Sequence, residues 1–529
     1  MKKIFQHCCL YISVLAFVGG LSSCDWMYTY PEGETLLEDF WQSESDVTAM
    51  VASCYRSMLE QDFMTRIIQW GEIRSDNVRS DGTKASEDQL NIQEMNILNT
   101  NTLANWSTLY VTINYCNTLL YYAPGVVDVD KNFSPARMKA LCAEAQAIRA
   151  LCYFYLVRAF GDVPLRLEPT IDDTKGFDIA KTDGSVVLDS MIVSLNEAKT
   201  YALDNYGTSK YTYNKGRFTK QSIRALLADI YLWQGDYARC VQECNEFLEY
   251  NESLLSPQQS GSRLNTTLAY QMTSSDFLLG DLYYTGNASE SIFELQYTTD
   301  QLENAAISAL YGSSSDLGQM YANTGELAAR FSDRNEIRYT SFVIRDGSEP
   351  QIAKYVCSSS HVSAQSGNLV FTHAGTPLYT NWIFYRLPDI YLMKAEALVE
   401  QTSGSEDVNT LKEALRCVDV SWLRANPGSD SLNIQSYSTV EQMRQLVLDE
   451  RQREFMFEGK RWFDLVRKAR REGSTEGIRQ YLGKYSTLGQ NKLKDMNALY
   501  LPISKSEMES NRLMEQNPFY KSDETVTAN

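Results

Sequence analysis

The chain has 529 residues, of which 43% are apolar and 22% charged, and carries a formal net charge of −18. That length holds two or three domain-sized units, and the composition is that of a globular protein. The acidic balance excludes nucleic acid, whose phosphates need a basic face, and it argues against docking on anionic lipid; its simplest use is solubility.

Lys2 and Lys3 precede an apolar run centred on Ile12, Val14, Leu15, Phe17 and Val18. A basic start, a short apolar segment and small residues before a cleavage point predict a secretory signal over residues 1–23. The run is too short to span a bilayer, which takes ~20 residues. Leu21-Ser22-Ser23-Cys24 resembles a bacterial lipobox. That resemblance implies cleavage before Cys24, acylation of its thiol with palmitate-like chains, and a membrane-tethered mature chain, each buried CH₂ contributing ~0.8 kcal/mol. The alternative is a plain signal with Cys24 a bystander or a disulfide partner. The fit of all four positions favours the lipobox. No second apolar run of spanning length is expected after it.

Eight of the 11 cysteines remain beyond Cys24: Cys54, Cys116, Cys142, Cys152, Cys240, Cys244, Cys357 and Cys417. Most sit among apolar residues in helical stretches and read as small buried hydrophobes, with a disulfide or two left open. Once His7 leaves with the signal, only His361 and His373 remain. That is little material for a zinc site or a Ser-His-Asp triad, so no metal, cofactor or catalytic residue is expected.

Helical periodicity begins near Ser45 and runs through Tyr55 to Leu59. Ser75 to Thr83 is a polar turn-rich loop. Helix resumes through Trp106, Tyr110, Ile113, Asn117 and Leu120 and is expected to stop near Pro124-Gly125. The next helix carries Leu141, Ala145, Ile148, Cys152, Tyr155 and Ala159, and Gly161 ends it. Asp128 to Asn132 lacks the central Gly and terminal Glu of a calcium loop and reads as a turn.

From Arg217 to Tyr250, Ala228, Tyr231, Gly235 and Cys240 resemble a tetratricopeptide repeat. Small Ala228 and Cys240 let two helices approach, and Gly235 sits at the turn. A second match runs from Tyr391 to Ala397 and on through Ala414 to Cys417. The two lie far apart in sequence, so helical hairpins from distant parts of the chain are expected to pack together around an insertion. That insertion, residues 253–382, is rich in Ser, Gly, Asn and Thr and holds short strand-like pieces such as Ser291 to Tyr297. Long loops on a rigid helical frame are common places for binding sites.

At these residues a family resemblance appears. Glu144 to Ala150 with Arg158 to Leu165, then Arg386 to Ala397, then Glu450 to Phe455 with Glu458 to Arg467, and finally Leu501-Pro502-Ile503 with Gln516 to Tyr520, resemble four ordered blocks of the SusD/RagB family of outer-membrane nutrient-binding lipoproteins. Pro388 stands where that family often has Ala, and Glu336-Ile337-Arg338 replaces its more usual Asp-x-Arg. The resemblance implies a mainly α fold of tetratricopeptide-like hairpins in a right-handed helical frame, with a loop-rich insertion. It implies an N-terminal region over residues 24–252 and a C-terminal region over 253–529. Glu450, Glu454 and Glu458 share one helix face. A carboxylate pair can serve glycosidase chemistry, but interleaved Arg451, Arg453 and Arg461 predict a structural ion-pair network instead. Arg149 and Arg386 read as helix-linking arginines.

The function so implied is binding without catalysis. A lipoprotein on the outer face of the outer membrane would capture oligosaccharides and deliver them to a SusC-like TonB-dependent barrel. Sugar recognition needs aromatic faces and planar polar groups, not a histidine or a metal. The rivals are a peptide-binding relative, a tetratricopeptide scaffold that binds only protein, and a surface glycoside hydrolase or peptidase. The ligand site is expected between the loop after the first helix, with Trp70, Asp76, Asn77 and Arg79, and the insertion, with Tyr283, Tyr284, Tyr311 and Tyr321. In relatives these regions converge on one face. Each residue has a competing structural role: Trp70 in the core, Asp76 as a turn cap, and Tyr283 and Tyr284 on opposite faces of a strand.

Overall fold

A computed structural model describes residues 40–523 apart from 81–83, 172–177, 256–267, 299–301, 314–315, 332, 346–348, 367–368, 403–406 and 483–486. The expected signal and Cys24 lie outside the described residues.

The helices start and stop where the local chemistry directs. In α1 (Glu44–Met58) the Asp46 carboxylate accepts the Ser43 N–H at 2.8 Å. α2 (Gln61–Glu72) follows and buries Phe63, Ile67, Ile68 and Trp70. α3 (Ser107–Val129) runs straight through Pro124, past its expected end. Pro124 and Gly125 are exposed, whereas flanking Ala123 and Val126 are buried. Packing of the inner face therefore outweighs the lost backbone bond. α4 (Pro135–Phe160) is capped by Ser134, has Pro at its first position, and ends at Gly161 with φ +78°. By length and composition α4 could cross a membrane, contrary to the expectation of no such run. With 89% of its apolar window buried inside the protein, it is a core helix.

α5 (Gly184–Tyr201), α6 (Lys220–Gln234) and α7 (Tyr237–Leu255) complete the first half. Gly235, left-handed at φ +81°, turns α6 into α7. After the insertion come α8 (Leu387–Gln401), α9 (Val408–Ala425), α10 (Val440–Phe455) and α11 (Arg461–Glu472). From α3 to α9 each helix packs on its neighbour in the chain, and α7 packs directly on α8 across the insertion. The two distant hairpins, α6–α7 and α8–α9, thus meet as the sequence predicts. Small Cys240 marks the contact, its Sγ 3.9 Å from the Met393 carbonyl. All eight described cysteines are free thiols, and only Cys142 is not fully buried.

The insertion is built on short antiparallel ribbons. β2 (Ser291–Leu295) near its start pairs with β8 (Trp382–Arg386) at its end. β1 (Val78–Ser80), from the loop after α2, pairs with β3 (Met320–Ala322). β4 (Val343–Ile344) pairs with β5 (Gln351–Ile352), and β6 (Cys357–Val362) with β7 (Leu369–His373). One apolar core extends from Trp41 to Tyr520 and includes both halves and the insertion; a smaller one lies between α8, α9 and α10.

A buried ion network fastens the insertion to α10 and the turn after it. Arg338 meets Glu336, Glu450 at 2.7 Å and Glu454 at 2.9 Å. Arg386 meets Glu290 at 2.7 Å and Glu458 at 2.8 Å, as well as Glu454. Lys354 reaches Glu458 at 2.7 Å, Arg424 meets Glu290 and Glu454, and Arg453 meets Glu450. Glu290, Glu336, Glu450, Glu454 and Glu458 are therefore balanced by Arg338, Lys354, Arg386, Arg424 and Arg453. Burial pushes the Glu454 carboxyl up, but Arg424, Arg386 and Arg338 outweigh it and hold the group well below the usual range. For Glu458, Arg386 and Lys354 overcome burial and bring it down to about 2.

Candidate functional site

The loop after α2 and the insertion do meet. Asn323 N–H donates to the Asn77 carbonyl at 2.7 Å, just beyond the β1–β3 ribbon. Gln89 Nε2 donates to Gln319 Oε1 at 2.7 Å, and Lys84 pairs with Asp316. Gln89 is held in place by a reciprocal cap with Ser86. The seam so formed shows Arg79, Lys84, Asp316 and Leu317 to solvent.

Beneath the seam lies a rigid support. Asp76 is buried and accepts from Arg461 through both oxygens, at 2.8 and 3.1 Å. Asn77 is buried, donates to Glu72 Oε1 at 2.7 Å, and accepts from Gln452 at 3.0 Å. Glu72 also accepts the backbone N–H of Phe457 and Gly459. Burial pushes the Glu72 carboxyl up to about 7; those hydrogen bonds and nearby Lys354 limit the rise. Trp70 is buried, with Nε1 donating to the Leu103 carbonyl at 2.8 Å and its ring edge-on to Phe160.

The insertion tyrosines divide sharply. Tyr311 ends a short helix (Ala305–Tyr311); it is 2% exposed and its hydroxyl donates to the Phe457 carbonyl at 2.9 Å. Tyr321 is buried on β3. Tyr283 and Tyr284 lie on a π-helix (Leu278–Thr285) rather than a strand. Tyr283 is buried, donates to Glu458 at 3.0 Å, and packs against Phe342 and Tyr355. Tyr284 faces solvent at 40% exposure, near exposed Phe277 in sequence.

Stacking on a sugar needs an open ring face. Trp70, Tyr283, Tyr311 and Tyr321 offer none here, and Asp76 and Asn77 spend their polar atoms on the support. These six hold the shape of the region from inside. Arg79 on the seam and Tyr284 on the π-helix are the two of the eight that face outward. Sequence reasoning passed over Lys84, Gln89, Asp316 and Gln319. The Ser86-x-x-Gln89 cap was legible as a helix start, whereas nothing local foretells that Gln89 meets Gln319. Among the described residues no group of three or more His, Cys, Asp or Glu is placed to hold a metal ion.

Two family models match, one in each half: the SusD family over residues 372–520, and a family described as starch-binding associating with outer membrane over residues 32–232. SusD-like protein P2 of Formosa agariphila is 26% identical over 497 residues, covering 86% of this chain and 90% of its own. A SusD-like protein of Bacteroides ovatus is 22% identical over 501 residues, covering 88% of this chain and 83% of its own. Among solved structures, a SusD superfamily protein from Bacteroides thetaiotaomicron superposes with a TM-score of 0.71 at 21% identity, over 91% of this chain and 99% of that one. Another, from Bacteroides vulgatus, gives 0.67 at 18% identity, over 91% and 100%. With both halves matched and the whole frame shared, the chain belongs to the SusD/RagB family.

Proposed function

We propose that this protein is a cell-surface glycan-binding lipoprotein of the outer membrane. It captures oligosaccharides and passes them to a SusC-like TonB-dependent barrel. The observation that carries this reading is the pair of family matches, one described as starch-binding and associating with outer membrane, joined in one continuous core. The fold supports it physically. A helical frame tied by buried ion pairs presents a seam of loops on which charged and polar groups can read sugar hydroxyls, and Tyr284 offers a ring to a pyranose face. Of the eight candidate contacts, Arg79 and Tyr284 are the ones we assign to the ligand. No catalytic step is assigned.

Affinity electrophoresis of the purified protein through gels containing starch, β-glucan, xylan, mannan or pectin tests the reading. Retardation by one glycan, with no new reducing ends on incubation, is expected. Free migration in every gel, together with retention on an immobilised peptide library, would replace the glycan reading with peptide capture.

A further inference from the structure

An unassigned cleft of about 560 Å³ opens where several helix ends meet. It is formed by the end of α4, the start of α5, the turn between α6 and α7, the end of α11 and the segment around Asn497 to Tyr500. It shares no lining residue with the β1–β3 seam. The two are joined through the chain, because Arg74, just after α2, donates to the Leu499 carbonyl at 2.9 Å.

Two glycines shape the cleft. A Cβ on Gly184 would stand 2.8 Å from the Gly161 carbonyl oxygen, so the loop closes tightly only with glycine there. At Gly161 the Tyr500 ring lies 3.6 Å from where a Cβ would be, and Tyr500 is half-buried. The wall mixes apolar side chains, among them Phe160, Leu188, Trp233 and Tyr500, with polar and charged ones. Asp162 uses one oxygen to accept the Gly184 N–H at 3.0 Å, and Asp189 uses one to accept Gln234 Nε2 at 3.0 Å. Each keeps a second oxygen for a ligand. Lys181 is half-buried and has no hydrogen-bond or ion-pair partner among the described residues. Arg470 covers the Trp233 ring at 4.5 Å and spends Nη1 on the Trp233 carbonyl at 3.2 Å, leaving its other N–H groups to the cleft.

This mixture selects among ligands. Lys181 and Arg470 stand among the carboxylates and disfavour a divalent cation. Asp162, Asp183, Asp189 and Asp236 together disfavour a phosphate. A ring of hydroxyls, each donating and accepting, suits paired carboxylate oxygens and cationic N–H groups beside a tyrosine face. The volume is that of an ordinary small-ligand site. We propose that the cleft is a second saccharide site, taking one or two neutral sugar units; its ligand class rests on the glycan reading above.

Calorimetric titration of the full mature chain with maltoheptaose, laminarihexaose, cellohexaose and xylohexaose tests it. A probe that binds is expected to occupy two sites per chain. The Lys181→Ala, Asp189→Ala double variant is expected to bind it at one, with the melting temperature within about 2 °C of wild type because Asp189 is exposed and neither residue belongs to the apolar core. A single site that the double variant leaves intact would remove the cleft and keep glycan capture. A single site that the double variant abolishes would keep the cleft and remove the seam. Silence with all four probes would overturn the cleft as a neutral-saccharide site.

Discussion

Tyr311 shows how one residue can look like a binding contact and be a core strut. In sequence it stands beside Gly312 and a serine run. In the structure its ring is enclosed and its hydroxyl holds the turn at Phe457, a residue at φ +67°. Tyr311→Ala is expected to cost about 3–5 kcal/mol, the range for emptying a large aromatic site. Tyr311→Phe, which strands the Phe457 carbonyl, is expected to cost about 1–2 kcal/mol. Urea unfolding of the two variants checks both; stability unchanged in the alanine variant would put the ring back on the surface. Tyr284 is the contrasting case. Truncating a stacking ring commonly costs more than ~1 kcal/mol of binding. Tyr284→Ala is therefore expected to weaken a confirmed glycan about five-fold or more, with an unchanged melting temperature, and an unaltered affinity would clear it from the site. Composition could not separate these two tyrosines, because Gly, Ser and Asn neighbours mark a loop without saying which side of it faces the core. Asp76 was legible as polar and near a turn. Its partner Arg461 lies in α11, and no local pattern connects them.

At the scale of elements the sequence was far more readable. Small residues at Ala228 and Cys240 and the turn at Gly235 placed the α6–α7 hairpin, and Ala395 with Ala414 placed the second. Pro124 misled because a local rule met a helix whose inner face is buried on both sides of it. The β1–β3 ribbon was not legible at all, since strands of three residues carry almost no periodic signal. One close approach has a sharp consequence. A Cβ on Gly71 would fall 1.7 Å from the Gly459 carbonyl oxygen, a backbone atom that cannot step aside. Gly71→Ala is expected to force α2 from the turn that supports the seam and to cost about 3 kcal/mol or more, the top of the overpacking range. Thermal unfolding would show it; a melting temperature equal to wild type would mean that the two backbones are not in contact.

For the whole molecule, acid is the informative perturbation. Glu458 and Asp464 are each brought down to about 2: burial opposes, but Arg386 and Lys354 around the first, and Arg451 and Arg467 around the second, prevail. A carboxyl depressed in the folded state stabilises above its unfolded value and loses that contribution as pH falls through the folded one. The denaturation midpoint is therefore expected to fall steadily between about pH 4.5 and pH 2. Equilibrium unfolding in a pH series tests this, and a flat midpoint across that window would contradict the paired state. The proposed lipid anchor is tested on whole cells. Cys24→Ala is expected to leave the protein outside the membrane fraction after salt and carbonate washing, while the wild-type chain stays in it. Persistent membrane association of the variant would point to another tether.

The balanced charges beneath the insertion also bear on how such proteins can be recombined. Arg338 and Lys354 belong to the insertion, whereas Glu450, Glu454 and Glu458 belong to the frame. Grafting a foreign segment over residues 253–382 to change specificity would take one cation from each of those glutamates unless the donor brought matching cations at both places, leaving Glu450 with Arg453, Glu454 with Arg386 and Arg424, and Glu458 with Arg386. Breaking a buried pair by removing one partner costs about 3–5 kcal/mol, a large part of the stability of a typical domain. The interchangeable parts are thus the outward loops strung between these anchor points, and a chimera should be cut inside the pinned residues rather than at the ends of the insertion.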